Sequence, residues 1–264
     1  MDKIISCVAP LFVPATRADR FQKAAGSGTD AVIVDLEDTV AISEKTQGRA
    51  ALSKDVLPSG PIIMRINSAT TEWFEGDVDC ARKMGVKCLM LPKTETADDV
   101  LRLRNLASDA VIFAIIETAK GMANARAIAS SGVARLVFGS LDYCVDLSCA
   151  HEHEVLASAR SELVLASRLT GIVAPLDGVT TAIDDETVLE SDARRAHAFG
   201  FGGKMCIHRS QVESVKREFT PSPSEISWAH SVLAESEKGV AKVGGKMVDA
   251  PVILRARQIL SRLK

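Results

Sequence analysis

Eight short apolar runs, rich in β-branched residues, recur along the chain, and Ala-rich segments with helical spacing follow most of them. The runs are 6–13, 31–36, 62–66, 87–91, 111–116, 135–138, 171–174 and 204–207. Near-continuous apolar strands are typical of a parallel sheet that helices cover on both faces. Eight such units in about 220 residues predict an α/β fold, the (β/α)8 TIM barrel, with an open doubly wound sheet as the alternative.

Local signals place the ends of several predicted helices. Gly85, Gly132 and Gly200 each stand just before an apolar run, where a left-handed glycine can end a helix and return the chain to the sheet. Thr96, with Asp99 three residues later, has the spacing of a capping box and predicts the start of a helix. These signals support a regular alternation of strand and helix.

A Pro-Ser-Pro-Ser sequence interrupts this alternation after residue 220. We predict a helix from Ser224 to about residue 238, a turn at Gly244 and Gly245, and a last helix over 250–263. This stretch is too short for a core of its own. The sequence therefore predicts a catalytic barrel over residues 1–220 and a C-terminal helical extension, or lid, over 221–264.

The composition argues against several classes of partner. The 264 residues are 47% hydrophobic and 25% charged, and a net charge of −2 argues against nucleic acid as the main partner. No apolar run reaches membrane-spanning length, and the first residues lack the apolar segment of a signal peptide. The six cysteines have no metal-site or redox spacing. We expect a cytoplasmic protein with no membrane or nucleic-acid partner.

Charged side chains stand at the end of every predicted strand. They are Arg17, Glu37 with Asp38, Arg65, Lys93, Glu117, Asp142, Asp177, and Lys204 with His208. In a parallel barrel the carboxyl ends of all the strands meet at one mouth, and the active site lies there. We therefore expect these scattered groups to converge on one site.

Four of these groups are carboxylates that form an oxygen-only set: Glu37, Asp38, Glu117 and Asp142. Histidine and cysteine do not accompany them at metal-ligand spacing, so a hard cation such as Mg²⁺ suits them best. Each carboxylate could instead cap the helix that follows its strand. Thr118 is a better cap than its neighbour Glu117, which favours a functional role for Glu117.

Arg65 follows an apolar strand directly, and its guanidinium could bind a substrate carboxylate with two hydrogen bonds. Its alternative role, which is compatible with the first, is to neutralise Glu37 or Asp38. Lys93 and Lys204 could be the Schiff-base lysines of an aldolase. Because a lysine paired with a carboxylate at the rim is commoner, we do not predict imine chemistry.

The histidines carry little signal. His151 and His153 flank Glu152 and are interpreted as an exposed helix start. Two histidines two residues apart face opposite ways on a helix, so we expect no metal role for them.

Seven motifs stand in a recognisable order along the chain. They are Leu11-Phe12-Val13-Pro14-Ala15-Thr16-Arg17; Asp35-Leu36-Glu37-Asp38-Thr39-Val40 with Lys45; Met64-Arg65-Ile66-Asn67; Leu91-Pro92-Lys93; Ile116-Glu117-Thr118; Phe138-Gly139-Ser140-Leu141-Asp142; and Gly245-Lys246-Met247-Val248-Asp249-Ala250-Pro251. Through them the sequence resembles the citrate lyase beta subunit-like branch of the HpcH/HpaI aldolase superfamily, with its malyl-CoA and citramalyl-CoA lyase relatives. The resemblance spans nearly the whole chain. It implies a (β/α)8 barrel, usually a homotrimer, that uses Mg²⁺.

The resemblance also implies roles for individual residues. Glu117 and Asp142 match the metal ligands, while Glu37 and Asp38 match residues that support the water and charge network of the site. Arg65 matches the clamp on the substrate carboxylate.

Arg17 and Lys23 are similar to the basic residues that hold the phosphates of coenzyme A. Asp249 matches a lid aspartate that reaches the active site of an adjacent subunit and acts there as acid or base. One departure follows Asp142, where residues 143–149 carry serine and cysteine at positions that are more often glycine in relatives. This departure bears on the shape of the acyl pocket.

The implied reaction breaks or forms a carbon–carbon bond in a hydroxyacyl-CoA thioester such as malyl-, citramalyl- or citryl-CoA. Cleavage yields an acyl-CoA and a 2-oxo acid, and the reverse reaction joins them. One alternative is a metal-dependent aldolase that acts on pyruvate or oxaloacetate-type acids without coenzyme A. Another is a subunit of a citrate lyase assembly, whose acyl group arrives on a carrier protein. A third is a barrel that serves only as an interaction scaffold, which would not need convergent carboxylates.

Overall fold

A computed structural model describes residues 2–237, 242–243 and 246–263. Eight parallel strands form one sheet whose order follows the chain. The strands are β1 Leu11–Pro14, β2 Val32–Asp35, β3 Ile62–Arg65, β4 Cys88–Leu91, β5 Val111–Ile116, β6 Arg135–Phe138, β7 Val173–Asp177 and β8 Gly203–Lys204. The predicted runs at 111–116 and 135–138 coincide with strands β5 and β6.

Helices separate the strands. The α-helices are α1 Asp2–Ile5, α2 Phe21–Ala25, α3 Lys45–Ala50, α4 Phe74–Met84, α5 Ala97–Leu106, α6 Ala119–Ala123, α7 Ala125–Ala129, α8 Ser140–Leu147, α9 His153–Thr170, α10 Glu186–Phe199, α11 Gln211–Phe219, α12 Pro223–Glu237 and α13 Ala250–Ser261. Two short 3₁₀ helices, Ala15–Arg20 and Ile42–Glu44, precede α2 and α3. The capping box at Thr96 and Asp99 begins α5 as predicted, and Gly85 ends α4 in the left-handed conformation, at a φ of 75°.

The sheet closes on itself through the residues that follow β8. Leu11 and Cys206 form a parallel bridge. The Phe12 N–H donates to the Cys206 carbonyl at 2.9 Å, and the Cys206 N–H donates to the Pro10 carbonyl at 2.9 Å. Sequential strand order with this closure confirms the (β/α)8 barrel and excludes the doubly wound alternative.

The barrel interior is filled by strand residues that are almost fully buried, among them Ile33, Ile63, Met90, Phe113 and Val137. They come from β2 to β6, so a continuous apolar layer lies below the mouth. This layer fixes the strand ends and, through them, the polar side chains that follow each strand.

Three predicted strands were misplaced. The first run was predicted over 6–13, but residues 6–10 are not a strand, because the Val8 and Ala9 N–H groups donate to Asp30 Oδ2 at 2.9 and 3.0 Å rather than to a sheet. The run predicted over 171–174 was placed too early, because Gly171 ends α9 at a φ of 72°. The run predicted over 204–207 shrinks to Gly203–Lys204, with Cys206 contributing only the closing bridge.

The chain divides into two compact units, Met1–Lys216 and Arg217–Lys264. In the second unit, α12 and α13 pack through a small apolar cluster of Ala229, Val232, Ala256 and Ile259. The last helix ends at Ser261 instead of the predicted 263. Strands β9 Lys242–Val243 and β10 Lys246–Met247 pair in antiparallel fashion, and the turn predicted at Gly244 and Gly245 lies outside the described residues.

Among the helices of the described segments, none combines the length and the apolar character that a membrane crossing requires.

Candidate functional site

A cavity of about 180 Å³ opens at the carboxyl ends of the strands in the first unit. Four of the residues singled out in the sequence line it: Asp38, Arg65, Glu117 and Asp142. Its apolar walls include Phe12, Ile115, Phe138, Val179, Met205 and Ile207. Residues that lie more than 100 positions apart in the chain therefore share one pocket, as the barrel geometry predicts.

Glu117 is the buried acid of this cavity. It directly follows β5 and is only 2% exposed, and its Oε1 accepts the Lys93 backbone N–H at 2.6 Å. Thr118, and not Glu117, caps α6, since the Thr118 Oγ1 accepts the Gly121 N–H at 3.0 Å. Glu117 is thus free of the capping role that was its structural alternative.

Gly139 makes room for the Glu117 carboxylate. A Cβ built at position 139 would lie 2.3 Å from Glu117 Oε2, closer than any side chain could come. Asp142 lies in the first turn of α8, three residues further along, and its negative charge acts on Glu117. Glu117 and Asp142, the two predicted metal ligands, both line the cavity.

Burial raises the pKa of Glu117 to about 8, and the negative charges of Glu37 and Asp142 add to this rise. Burial likewise raises the pKa of Glu37 to about 7, against the opposing charge of Arg65. The cationic side chains of the site do not offset the cost of burying these two carboxylates. A divalent cation in the cavity would supply further positive charge.

Arg65 is held in one orientation by a carboxylate that the sequence reasoning missed. Its Nε and Nη2 donate to Oδ1 and Oδ2 of Asp35, each at 2.7 Å. Asp35 is fully buried at the end of β2, directly opposite Arg65 in the β2–β3 register. Burial alone would lower the pKa of Arg65, but the charges of Asp35 and Glu37 raise it, so the guanidinium is permanently charged.

The remaining edge of the Arg65 guanidinium faces the loop after β2. Its Nη1 lies 3.0 Å from Glu37 Oε2 and 3.4 Å from Asp38 Oδ2, and its Cζ lies 4.8 Å from the centre of the Phe12 ring. Glu37 Oε2 is buried and accepts no well-aligned hydrogen bond, so this oxygen can still accept one from a donor in the site.

Two lysines hold the loop after β2 in place. Lys93 adopts a left-handed backbone conformation, at a φ of 47°, and its Nζ pairs with Glu37 Oε1 and lies 3.4 Å from Asp38 Oδ1. Burial opposes the charge of Lys93, yet Glu37 and Asp38 raise its pKa. Lys45 Nζ donates to the Leu36 and Glu37 carbonyls at 3.0 and 2.7 Å.

The donor set fits a hard divalent cation. Five carboxylates, Asp35, Glu37, Asp38, Glu117 and Asp142, face three cationic side chains, Lys45, Arg65 and Lys93. When all are ionised, the site carries an excess of two negative charges. The described part of the chain has no group of three or more His, Cys, Asp or Glu side chains placed to hold a metal ion. Two carboxylates with water and substrate as further ligands are the usual set for Mg²⁺.

A second buried ion cluster lies at the ends of β7 and β8. Asp177 is fully buried, with Arg160 Nε 3.1 Å from its Oδ1 and Lys204 Nζ 3.2 Å from its Oδ2. Burial opposes ionisation of Asp177, but Lys204 and Arg160 hold its pKa below the ordinary value. Lys204, like Lys93, is therefore a lysine paired with a carboxylate.

His151 and His153 lie at the start of α9, as interpreted from the sequence, and each contacts a polar side chain. His151 precedes α9, so the helix-face argument does not apply to it, and its Nε2 lies 2.9 Å from the Oγ of buried Ser140. His153 Nε2 lies 3.0 Å from Asp192 Oδ1. His208 Nδ1 contacts Ser210 Oγ at 2.7 Å.

Neither Arg17 nor Lys23 lines this cavity. Arg17 pairs with Asp19 at 2.9 Å on the surface, and Lys23 is exposed on α2. Asp249 belongs to the second unit, where its Oδ1 accepts the Val252 N–H at 3.2 Å and caps α13.

The chain is similar to known proteins over almost its whole length. Residues 9–209 match the model of the family described as HpcH/HpaI aldolase/citrate lyase. A (3S)-malyl-CoA thioesterase of Cereibacter sphaeroides is 34% identical over 266 residues, which cover 96% of this chain and 93% of the relative. A citrate lyase subunit beta-like protein of Mycobacterium tuberculosis is 35% identical over 262 residues, which cover 96% of this chain and 94% of the relative.

A solved structure gives the same likeness in three dimensions. CitE from Mycobacterium tuberculosis, in complex with magnesium, acetoacetate and coenzyme A, superposes with a TM-score of 0.87 at 34% identity, covering 97% of each chain. The citrate lyase beta subunit of the same organism, complexed with oxaloacetate and magnesium, superposes with a TM-score of 0.75 at 32% identity. That match covers 84% of this chain and all of the other.

Proposed function

Because the chain belongs to the HpcH/HpaI aldolase/citrate lyase family, we propose that it is a Mg²⁺-dependent carbon–carbon lyase that cleaves or forms a hydroxyacyl-CoA thioester of the malyl, citramalyl or citryl type. The products of cleavage are an acyl-CoA and a 2-oxo acid. The observation that carries the proposal is the cavity in which Glu117, Asp142 and Arg65 meet at the barrel mouth. The magnesium and coenzyme A in the CitE complex support the same reaction class.

Glu117 and Asp142 are the side chains that would hold the cation, and Glu37 with Asp38 would support its water and charge network. Mg²⁺ supplies Lewis-acid polarisation of the substrate oxygens when it is bound. Glu37 Oε2, buried and without an aligned donor, is suited to accept a hydrogen bond from a site water. Lys45 and Lys93 hold the loop after β2, which carries Glu37 and Asp38, in place.

Arg65 binds and orients the substrate carboxylate. A guanidinium has five N–H donors. Two of them, one on Nε and one on Nη2, donate to the Asp35 carboxylate. Arg65 lines the cavity, and the substrate carboxylate would meet its Nη1, which lies 3.0 Å from Glu37 Oε2 and 3.4 Å from Asp38 Oδ2. The buried ion pair with Asp35 therefore fixes the orientation in which the Arg65 guanidinium meets the substrate carboxylate.

We expect Arg65→Lys to be severely impaired. A lysine keeps the charge but loses the planar fork, so it cannot hold both oxygens of Asp35 and a substrate carboxylate together. The KM for the 2-oxo acid in the condensation direction should rise about 100-fold, since each lost charge-assisted hydrogen bond contributes roughly 1.5–3 kcal/mol. Steady-state kinetics at saturating Mg²⁺ measure this. A near-normal KM would show that Arg65 serves only the fold.

Coenzyme A is proposed to lie with its phosphates near Arg17 and Lys23. Both are exposed cationic side chains on the segment that follows β1, and Arg17 is held by an exposed aspartate that a phosphate can displace.

Asp249 is proposed to act in the active site of a neighbouring subunit of a homotrimer. In the cleavage direction a base takes the hydroxyl proton, the carbon–carbon bond breaks, and the Asp249 carboxyl protonates the thioester enolate. In the reverse direction its carboxylate removes a proton from the acyl-CoA methyl group. Its exposed position at the start of α13 leaves the carboxyl available for such a role.

We expect Asp249→Asn to retain Mg²⁺ and oxo-acid binding and to lose the enolisation step. Asparagine is as good an N-cap as aspartate, so α13 and the thermal stability should be preserved. Hydrogen–deuterium exchange into the acyl-CoA methyl group measures the lost step directly.

Complementation tests whether Asp249 acts across an interface. An Asp249→Asn protein is mixed with a Glu117→Ala protein, and subunit exchange is verified by mass. Hybrid oligomers should regain partial activity, because some sites then combine an intact Glu117 with a partner's intact Asp249. Verified exchange without recovered activity would place Asp249 outside the neighbouring site.

A substrate panel tests the reaction class. Purified protein with Mg²⁺ is incubated with malyl-, citramalyl- and citryl-CoA, and acyl-CoA, 2-oxo acid and free thiol are each followed. Lyase activity releases acyl-CoA with the oxo acid, whereas a thioesterase releases free thiol and leaves the hydroxy acid whole. Turnover of free hydroxy acids without coenzyme A would instead favour the CoA-independent aldolase.

Two features of the natural setting are also proposed. All six cysteines are free, which suits the reducing cytoplasm. Size-exclusion mass in cell extract distinguishes a free-standing trimer from a subunit of a larger lyase assembly. A mass near three chains supports the trimer, and a much larger mass supports the assembly.

A further inference from the structure

The turn that ends α8 holds two cysteines to which the proposed function gives no role. Ser148 ends the helix in the left-handed conformation, at a φ of 53°. The Cys149 N–H donates to the Cys144 carbonyl at 3.0 Å. The Ser148 N–H donates to the Val145 carbonyl at 3.2 Å. These bonds form a Schellman motif, in which the residue after the left-handed one packs against the last helical turn, so the motif sets Cys149 beside Cys144.

The side chains of this cysteine pair, Cys144 and Cys149, lie in contact. Cys144 is buried and Cys149 is half-buried, and the two side chains lie within hydrogen-bonding reach of one another. Strand residues joined by backbone hydrogen bonds have Cα atoms about 5.5 Å apart, and disulfides span Cα separations of about 4.4–6.8 Å. A disulfide between Cys144 and Cys149 therefore needs only a local adjustment of the turn.

Solvent reaches the pair at Cys149. All six cysteines lie among the described residues, and Cys149 is the one that is not buried. A small oxidant in solution therefore meets Cys149 first, and Cys144 is the thiol in contact with it.

The loop that carries Cys149 also supports the cavity at the barrel mouth. His151 lies two residues further on, and its Nε2 contacts the Oγ of Ser140 at 2.9 Å. Ser140 is buried and lines that cavity, as does Asp142 on the same helix. An S–S bond is about 2.05 Å long, much shorter than a contact between two thiols, so its closure draws the loop toward α8. Because α8 is held by its own hydrogen bonds, the movement falls on the loop and on the His151 contact.

We propose that the cysteine pair is a redox-modification site, whose disulfide weakens cation binding in the barrel-mouth cavity by displacing His151 from Ser140. The inference rests on the proposed function, in which that cavity holds Mg²⁺. The oxidant is a low-molecular-weight disulfide such as glutathione disulfide. In a reducing compartment the dithiol is the resting form, and a rise in the disulfide pool converts it.

The exchange takes place in two balanced steps. The Cys149 thiolate attacks one sulfur of glutathione disulfide, which forms a mixed disulfide and releases one glutathione thiolate. Cys144 then attacks the Cys149 sulfur, and its proton passes to the second glutathione thiolate as that thiolate leaves. Two protein thiols are oxidised to one disulfide, and one glutathione disulfide is reduced to two thiols.

Mass spectrometry of protein equilibrated with glutathione buffers tests whether the disulfide forms. In the oxidising buffer the peptide 136–160, which holds both cysteines between two arginines, should become lighter by two hydrogens. Cleavage before Asp146, which lies between the cysteines, should leave the two fragments joined. Reduced glutathione should restore both thiols. Two free thiols in every buffer, or a disulfide to any other cysteine, would overturn the proposal.

Variants assign the two steps. Cys144→Ser should stop the reaction at a mixed disulfide between Cys149 and glutathione, and Cys149→Ser should leave the Cys144 thiol reduced. Cys80→Ser, at a buried cysteine of α4, is the matched control and should still close the disulfide. Because Cys149→Ser changes a half-buried residue after the helix end, it keeps the test open if Cys144→Ser does not fold. Oxidation of Cys144 in Cys149→Ser would contradict the assignment.

Calorimetric titration with Mg²⁺ tests the effect on the cavity. The oxidised wild type should bind Mg²⁺ at least about fivefold more weakly than the reduced protein, which is the lower end of typical coupling between sites. Cys149→Ser, treated with the same buffers, should keep the affinity of the reduced protein in both. Equal affinities of the oxidised and reduced wild type would overturn this proposal and leave the proposed function standing. A reduced protein that binds no Mg²⁺ would overturn the proposed function and, with it, this inference.

Discussion

Glu117→Gln should lower Mg²⁺-dependent turnover about 1000-fold and, without Mg²⁺, make the protein more stable than the wild type. The loss follows because the variant removes an anionic ligand, and metal polarisation contributes several kcal/mol to a barrier in which each 1.36 kcal/mol is tenfold in rate. The gain follows because the carboxyl of Glu117 is buried without a cation of its own. A neutral amide of the same shape avoids that desolvation cost.

The sign of the pH dependence separates this explanation from a general effect of the substitution. The pKa of Glu117 is raised from 4.5 to about 8 on folding, so the folded protein keeps a proton that the unfolded chain releases. Wild-type stability without Mg²⁺ should therefore fall as the pH rises from 4.5 to 8, and the variant should lack this part of the fall. Added Mg²⁺ should stabilise the wild type and not the variant. Thermal unfolding at pH 6 and pH 9, with and without Mg²⁺, measures all of these changes.

Glu95→Gln is the matched control, since Glu95 follows the neighbouring strand β4 at the same end of the barrel and pairs with Lys120 on the surface. It should keep both turnover and the response to Mg²⁺. Full activity of Glu117→Gln, or wild-type activity in excess chelator, would falsify the metal assignment.

Asp35→Asn should cost about 3–5 kcal/mol of folding free energy, because it leaves the buried Arg65 charge without its two-point partner. For a chain of this size each kcal/mol shifts the unfolding midpoint by about 2–4 °C, so a drop of roughly 6–20 °C is expected. Activity should fall as well, because the Arg65 guanidinium loses the partner that fixes its plane. Urea unfolding and the KM for the 2-oxo acid measure the two effects separately.

The ion pair between Asp35 and Arg65 also makes the folding stability of the wild type sensitive to acid. Burial alone would raise the pKa of Asp35, but the Arg65 charge and the hydrogen bonds from Arg65 and Thr39 hold it below the ordinary value. Because the pKa of Asp35 is lower in the folded protein, its carboxylate stabilises the fold at pH values above the pKa of about 3.9 in the unfolded chain. This contribution is lost as the pH falls through the folded pKa. Asp35→Asn should lack this acid-sensitive contribution.

Asp79→Asn is the control for Asp35→Asn. Asp79 pairs with Arg82 and Lys83 on the surface of α4, where solvent screens the pair, so the unfolding midpoint should barely change. Equal losses from Asp35→Asn and Asp79→Asn would contradict the special role of the buried pair.

The sequence was most informative where the chemistry is local. The apolar runs at 111–116 and 135–138 coincide with strands because the residues next to them set both of their ends. The capping box at Thr96 was predictable because it involves only four consecutive residues. The convergence of Glu117, Asp142 and Arg65 was predictable because parallel barrel strands end at one mouth.

Long-range pairings escaped the sequence reasoning. Asp35 lies inside the predicted apolar run 31–36, and its role becomes evident only when the register sets it opposite Arg65, 30 residues later. The contact of His151 with Ser140 depends on where α9 begins, which is two residues after His151 and not at it. Such contacts depend on how separate elements pack together. The spacing of residues within one segment does not predict them.

The seam between Cys206 and β1 bears on how the chain is made. The two sides of that seam lie 195 positions apart, and at a synthesis rate of about 5–20 residues per second the first strand waits roughly 10–40 s for its last neighbour. Strands β2 to β6, which carry Asp38, Arg65, Glu117 and Asp142 at their ends, pair only with neighbours that are close in the chain. The acidic pocket can therefore form on a growing, still open sheet, and ring closure comes as the late, slow event.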